Sequence, residues 1–140
     1  MSPYASAAAT AHVVQFESAR WLPTLLSDLR SLETSGKNIP GLGDLRVSGA
    51  MADHVRLLLT TISASPLPEP VLAPFSGGGV ALTCVVGNRE LTLTAYPDQR
   101  DFVFMLKNEN DEPVDDGTIT LEQPDRLRDV IRTFLANSGR

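Results

Sequence analysis

The stretch VALTCVVGNRELTLTA, Val80 to Ala95, decides how the chain is read. Val80, Leu82, Cys84 and Val86 alternate with Ala81, Thr83 and Val85, and Leu91 and Leu93 resume the alternation after Gly87-Asn88. Alternation with a period of two is the signature of a strand with one buried face. Gly-Asn between two such runs fits a two-residue hairpin of type II′, whose first central residue needs a positive φ. A two-residue loop then fixes the register: Val86 with Arg89, Cys84 with Leu91, Leu82 with Leu93, Val80 with Ala95. Thr83 pairs with Thr92 on the other face. Apolar meets apolar throughout, whereas a slip of one residue would send these side chains to opposite faces.

Working outward, Phe102, Phe104 and Leu106 predict a third strand, with Val103 and Met105 on its reverse face. Asn108–Asp116 reads as an acidic loop, and Thr118–Leu121 as a short fourth strand with Ile119 and Leu121 toward the core. Pro124 opens a last helix in which Leu127, Val130, Ile131, Phe134 and Leu135 form one apolar stripe. On its first turns, Asp125 and Asp129 stand three residues before Arg128 and Arg132, a spacing that pairs them. Residues 122–137 make up this helical part.

Upstream, residues 66–79 hold four prolines and three glycines in fourteen positions. The expectation is an extended connector on the surface, anchored by Val71 and Phe75. Residues 12–65 read as helical. Leu22, Leu25, Leu26, Leu29 and Leu32 make one stripe, with Pro23 dividing two segments near Trp21. After a loop at residues 38–48, Ser48 caps a second stripe of Met51, Val55, Leu58, Leu59 and Ile62. Residues 1–11 are small and uncharged, and a frayed end is expected there. The fold class predicted is α+β in two layers: N-terminal helices, a four-stranded antiparallel meander over residues 80–121, and a C-terminal helix. At 140 residues, 42% apolar and mean hydropathy −0.03, one domain with one core is the natural reading.

The balance of 12 basic and 17 acidic residues gives a net charge of −5 and an isoelectric point near 4.9, which argues against nucleic acid as a partner. No apolar run approaches the roughly 20 residues that cross a bilayer. A single cysteine, Cys84, on an apolar strand points to a cytoplasmic protein without a disulfide. Cys84 and His54 are the only tempting nucleophile and base, but a mid-strand thiol on the apolar face behaves as a small hydrophobe. Ser35-Gly36-Lys37-Asn38 and Gly41-Leu42-Gly43 lack the remaining residues of phosphate-binding loops. Gly77-Gly78-Gly79 has no helix behind it to bind an anion. No catalytic residue, cofactor or metal is expected.

What concentrates charge is Asn108–Asp116. Glu109, Asp111, Glu112, Asp115 and Asp116 are five acids with no base among them. As a calcium loop the spacing fails, because Val114 and Gln123 fall at ligand positions. The reading is a docking surface for a basic protein partner, set against a plain solvated turn. The function expected is therefore a non-enzymatic protein-interaction module, such as an antitoxin, immunity protein, inhibitor or accessory subunit. The alternative is a small-ligand-binding domain or small enzyme with a pocket between sheet and helices. A homodimer is also expected, because Val85, Val103 and Met105 share a face that either the N-terminal helices or a second copy must cover.

Pro68-x-Pro70-x-Leu72-x-Pro74, Gly78-Gly79-Val80-x-Leu82 and Gly87-Asn88-Arg89-Glu90-Leu91 together resemble a loose group of short bacterial proteins without assigned function. The resemblance spans about Gly49 to Thr120. That group often has Trp where Cys84 stands, and Trp-Asp-Gly where this chain has Gly43-Asp44-Leu45. The resemblance implies a small bacterial accessory protein and attaches no activity to it.

Overall fold

A computed structural model describes residues 20–34, 38–39 and 43–136. The elements run α1 (Leu22–Thr34), β1 (Asn38–Ile39), β2 (Gly43–Asp44), α2 (Gly49–Ile62), β3 (Val71–Phe75), β4 (Gly79–Val86), β5 (Arg89–Ala95), β6 (Phe102–Lys107), β7 (Pro113–Ile119) and α3 (Pro124–Ala136). The fold is α+β. β3 to β7 form one antiparallel sheet in sequential order, and β1 with β2 form a two-residue ladder inside the loop before α2.

The central hairpin has the register that its alternation demands. Val86 pairs with Arg89, Cys84 with Leu91, Leu82 with Leu93 and Val80 with Ala95, while Thr83 opposes Thr92. Gly87 takes φ +62°, the left-handed first position that a type II′ turn requires and that glycine adopts without a Cβ clash. Inward from this hairpin, Leu82, Cys84, Leu91, Leu93, Phe102, Phe104, Leu106 and Ile119 are almost fully buried. They meet Leu25, Leu29 and Leu32 of α1, six residues of α2, and Leu127, Val130, Ile131 and Phe134 of α3 in a single cluster. Each helix contributes one apolar stripe to this cluster, which also holds the inward residues of the sheet.

The helix starts follow their capping chemistry. Ser48 Oγ accepts a hydrogen bond from the Met51 amide at 3.0 Å, satisfying one of the free donors at the start of α2. Pro23 and Pro124 both sit in first turns, where a missing N–H costs nothing. The segment expected before Trp21, the frayed residues 1–11 and the end of the last helix at residue 137 lie outside the described residues.

Two expectations need correction. Residues 66–79 are not only a connector: Val71–Phe75 is a strand paired with β4, so the sheet has five strands rather than four. Proline is excluded from central strands because it lacks a ladder donor, but β3 is an edge strand and has a neighbour on one side only. Nor is Val71 an anchor, since it is 63% exposed. Leu72, opposite Leu82, points inward instead, and Phe75 lies half-buried against Tyr96 with ring centres 5.6 Å apart. The second correction is to the last strand, which runs Pro113–Ile119 rather than Thr118–Leu121. It takes in Asp115 and Asp116, opposite Leu106 and Met105, after a register shift at Leu106/Lys107. An edge strand tolerates acids because its outer side is solvated.

Candidate functional site

The acidic segment is a built turn followed by a strand edge. Asn108 organises it. Its Oδ1 accepts from the amides of Asn110 (2.9 Å) and Glu112 (3.1 Å), and its own amide donates to the Glu112 carbonyl at 3.0 Å. The Asp111 amide donates back to the Asn108 carbonyl at 3.0 Å. Such side-chain capture of following amides is the ordinary means by which asparagine closes a turn. Asp111 has φ +62°, a conformation that aspartate tolerates better than most residues. The turn's backbone is thus satisfied internally, which leaves the carboxylates facing water.

The five acids are not equivalent. Glu109 lies 3.8 Å from Arg89 Nε, and Asp111 lies 3.4 Å from Lys107 Nζ. Glu112 receives a 3.3 Å hydrogen bond from Asn108 Nδ2. Asp115 and Asp116 are exposed on β7 and form no ion pair among the described residues. The structure therefore splits the predicted surface: two carboxylates answer to cations of their own chain, while Glu112, Asp115 and Asp116 retain unneutralised charge.

Arg89 is what the sequence reading undervalued. It is 5% exposed, one of two buried polar side chains among the described residues. Its guanidinium lies over the Phe134 ring, 5.4 Å from the centre, and donates through Nη1 to the Phe134 carbonyl. That carbonyl is one of the last of α3, where partners are missing and the helix dipole is negative. The signal was present in the hairpin, because the register places Arg89 on the same face as Leu91. A second arginine, Arg126, lies over Phe104 at 5.3 Å. Gly117 makes room for it, since a Cβ there would meet Arg126 Nη2 at 3.2 Å and Phe104 at 3.1 Å.

The nucleophile considered from sequence is disarmed by its place. Burial pushes the Cys84 thiol up to about 11, so it stays protonated at neutral pH. His54 stacks flat on Phe102 with ring centres 4.2 Å apart, and its Nε2 is buried without a hydrogen-bond partner. Its ring borders an open hollow of about 320 Å³ with Ser48, Pro97 and Arg100. A groove of about 440 Å³ runs along α3 between Arg128, Ile131, Arg132 and Leu135 on one side and Ser65-Pro66 on the other. Both arginines are held by acids three residues earlier, Asp125 at 3.0 Å and Asp129 at 3.2 Å.

Among the described residues, no three His, Cys, Asp or Glu side chains are grouped to hold a metal ion, and no helix is long and apolar enough to cross a membrane. Comparison with family models, with curated proteins and with solved structures finds no match for this chain.

Proposed function

We propose that this chain is a small protein-interaction module of the antitoxin, immunity, inhibitor or accessory-subunit kind, which docks a basic protein partner through the turn and strand edge carrying Glu112, Asp115 and Asp116. The observation that supports this most is the contrast within the cluster. Glu109 and Asp111 are matched by Arg89 and Lys107, whereas Glu112 on the turn held by Asn108, and Asp115 and Asp116 on the β7 edge strand, stand exposed without a cation beside them. Charge held on an ordered turn and a strand edge raises encounter rates with an oppositely charged partner and selects against like-charged ones. A cytoplasmic location belongs to the same proposal and rests on the lone buried thiol.

The test begins with affinity capture and mass spectrometry to find the partner. Glu112, Asp115 and Asp116 are then replaced together by Gln and Asn. Exposed charges contribute little to stability, so the variant should fold normally. Its association rate should fall at low salt and converge with the parent rate as salt shortens the screening length. An unchanged rate at low salt would remove the proposal. The second reading, a small-ligand-binding domain or small enzyme, draws on the α3 groove, where Ile131 and Leu135 form an apolar floor between two arginines. Chemical shift changes confined to that groove on screening small carboxylic acids would favour it.

A further inference from the structure

β7 is an edge strand with no neighbour on its outer side among the described residues. Which of its backbone groups face outward follows from the register. A two-residue hairpin closes on a hydrogen-bonded pair, here Val86 with Arg89, and along an antiparallel ladder such pairs alternate with non-bonded ones. Glu90, Thr92 and Thr94 therefore turn their backbone groups to β6, where Lys107, Met105 and Val103 meet them. Phe102, Phe104 and Leu106 turn theirs to β7 and meet Ile119, Gly117 and Asp115. What remains open is the amide and carbonyl of Asp116 and of Thr118, both exposed residues. The same alternation turns Pro74 outward on β3, so the opposite edge of the sheet is short of a donor, whereas β7 offers both of its own.

We propose that this edge takes an added strand: an extended basic segment of the partner, paired antiparallel to β7. The proposal rests on the docking surface of Glu112, Asp115 and Asp116 and assigns the manner in which a partner engages it. Charge complementarity selects the occupant. Asp115 lies opposite Leu106 and Asp116 opposite Met105, so the two carboxylates belong to opposite faces of the sheet, and neither forms an ion pair among the described residues. On an added strand successive side chains also alternate between faces, so two adjacent Lys or Arg residues answer both acids.

The neighbouring positions extend the pattern. Two places before the first basic residue, a β-branched side chain would meet Thr118 on the open face. Between them, beside Gly117, a small residue fits, because Arg126 Nη2 already lies 3.2 Å from where a Cβ would stand. A second copy does not suit this edge, since its own β7 would set acid against acid. In strand addition the main-chain hydrogen bonds hold the segment and the alternate side chains choose its sequence.

The blocked peptide Thr-Val-Thr-Lys-Arg-Val carries this pattern and is titrated to about 5 mM into the full chain at low salt. Hydrogen exchange at Asp116 and Thr118 should slow at least about threefold, while Asp115 and Gly117, already bonded to β6, should change little. N-methylation then separates main chain from charge. In antiparallel register the second and fourth peptide amides face β7, and the third and fifth face water. Methylating the second and fourth should weaken binding at least about tenfold, and methylating the third and fifth should leave it within about twofold. Equal binding of the two methylated peptides would mean that charge alone holds them, which overturns strand addition and leaves the acidic docking surface standing. No response of β7 to the unmethylated peptide would overturn strand addition as well. The docking surface is decided separately, by the partner's association rate with the Glu112→Gln, Asp115→Asn, Asp116→Asn chain.

Discussion

Replacing Arg89 by alanine should be among the most damaging single changes to this fold, although the residue is charged and next to a surface turn. The residue is 5% exposed, and its side chain meets the Phe134 carbonyl, the Phe134 ring and Glu109. Its hydrogen bond to the Phe134 carbonyl is charge-assisted, a class of bond that contributes about 1.5 to 3 kcal/mol. Its position over the Phe134 ring adds about 0.5 to 2 kcal/mol. The approach to exposed Glu109 at 3.8 Å adds no more than about 1 kcal/mol. Because these terms share one side chain and do not add fully, a loss of about 3 to 4 kcal/mol is expected. For 140 residues the unfolding entropy is about 0.3 kcal/mol per degree, so the midpoint should fall by about 10 °C. Urea titration should show a lower midpoint with unchanged slope, since the surface exposed on unfolding is the same. Arg89→Met keeps the stem's packing and should recover about 1 kcal/mol, and Glu109→Gln should cost less than about 1 kcal/mol. An Arg89→Ala chain within about 1 kcal/mol of the parent would refute the assignment of the guanidinium as the cap of α3.

The remaining expectations concern the core thiol, the glycine under Phe75 and the acidic turn. Cys84 has a folded value near 11 against 9.0 for the free group, so the unfolded chain loses this proton first. Stability tied to the neutral thiol is complete below pH 9.0 and declines as pH rises toward 11, by on the order of 2 to 3 kcal/mol. Denaturant titrations of the parent and a Cys84→Ala chain should differ in slope across that window, and identical pH profiles would contradict the burial argument. Gly79→Ala puts a Cβ 2.0 Å from the Phe75 ring, which must swing away from Tyr96. A loss of about 1 to 2 kcal/mol is expected by thermal melting, and no loss would mean that the ring is not seated there. Asn108→Ala removes the acceptor for two turn amides and should cost about 1 kcal/mol, with faster amide exchange confined to Asn110–Glu112.

How far the sequence could be read follows from which forces are local. The hairpin register was legible residue by residue, because alternation and the Gly87-Asn88 turn are short-range signals that agree. The α2 stripe and its Ser48 cap were legible for the same reason. β3 was not, because prolines veto a central strand but not an edge strand, and which strand is an edge is a tertiary property. The start of β7 was hidden likewise: Asp115 and Asp116 look like loop until Met105 and Leu106 supply a ladder. Of the candidate surface, composition gave the five acids but could not give their partners. That Glu109 faces Arg89, and that Arg89 spends its main hydrogen bond on a helix 45 residues away, depends on how α3 returns over the hairpin.

The two free edges of the sheet are guarded by different chemistry, and this has a consequence for growth. On β3 the guard is covalent: Pro74 lies within the strand and Pro70 just before it, and neither offers a donor. On β7 the guard is side-chain charge, Asp115 and Asp116, with Pro113 at the start. In polymer terms the molecule has at most one functional end. A chain with Asp115→Val and Asp116→Val, apolar as well as neutral, would gain one open edge, and pairing β7 with the β7 of another copy would consume it on both. The product would then present only proline-guarded β3 edges to solution. Addition would stop at two, whereas a sheet with two open edges would go on adding copies into a fibre.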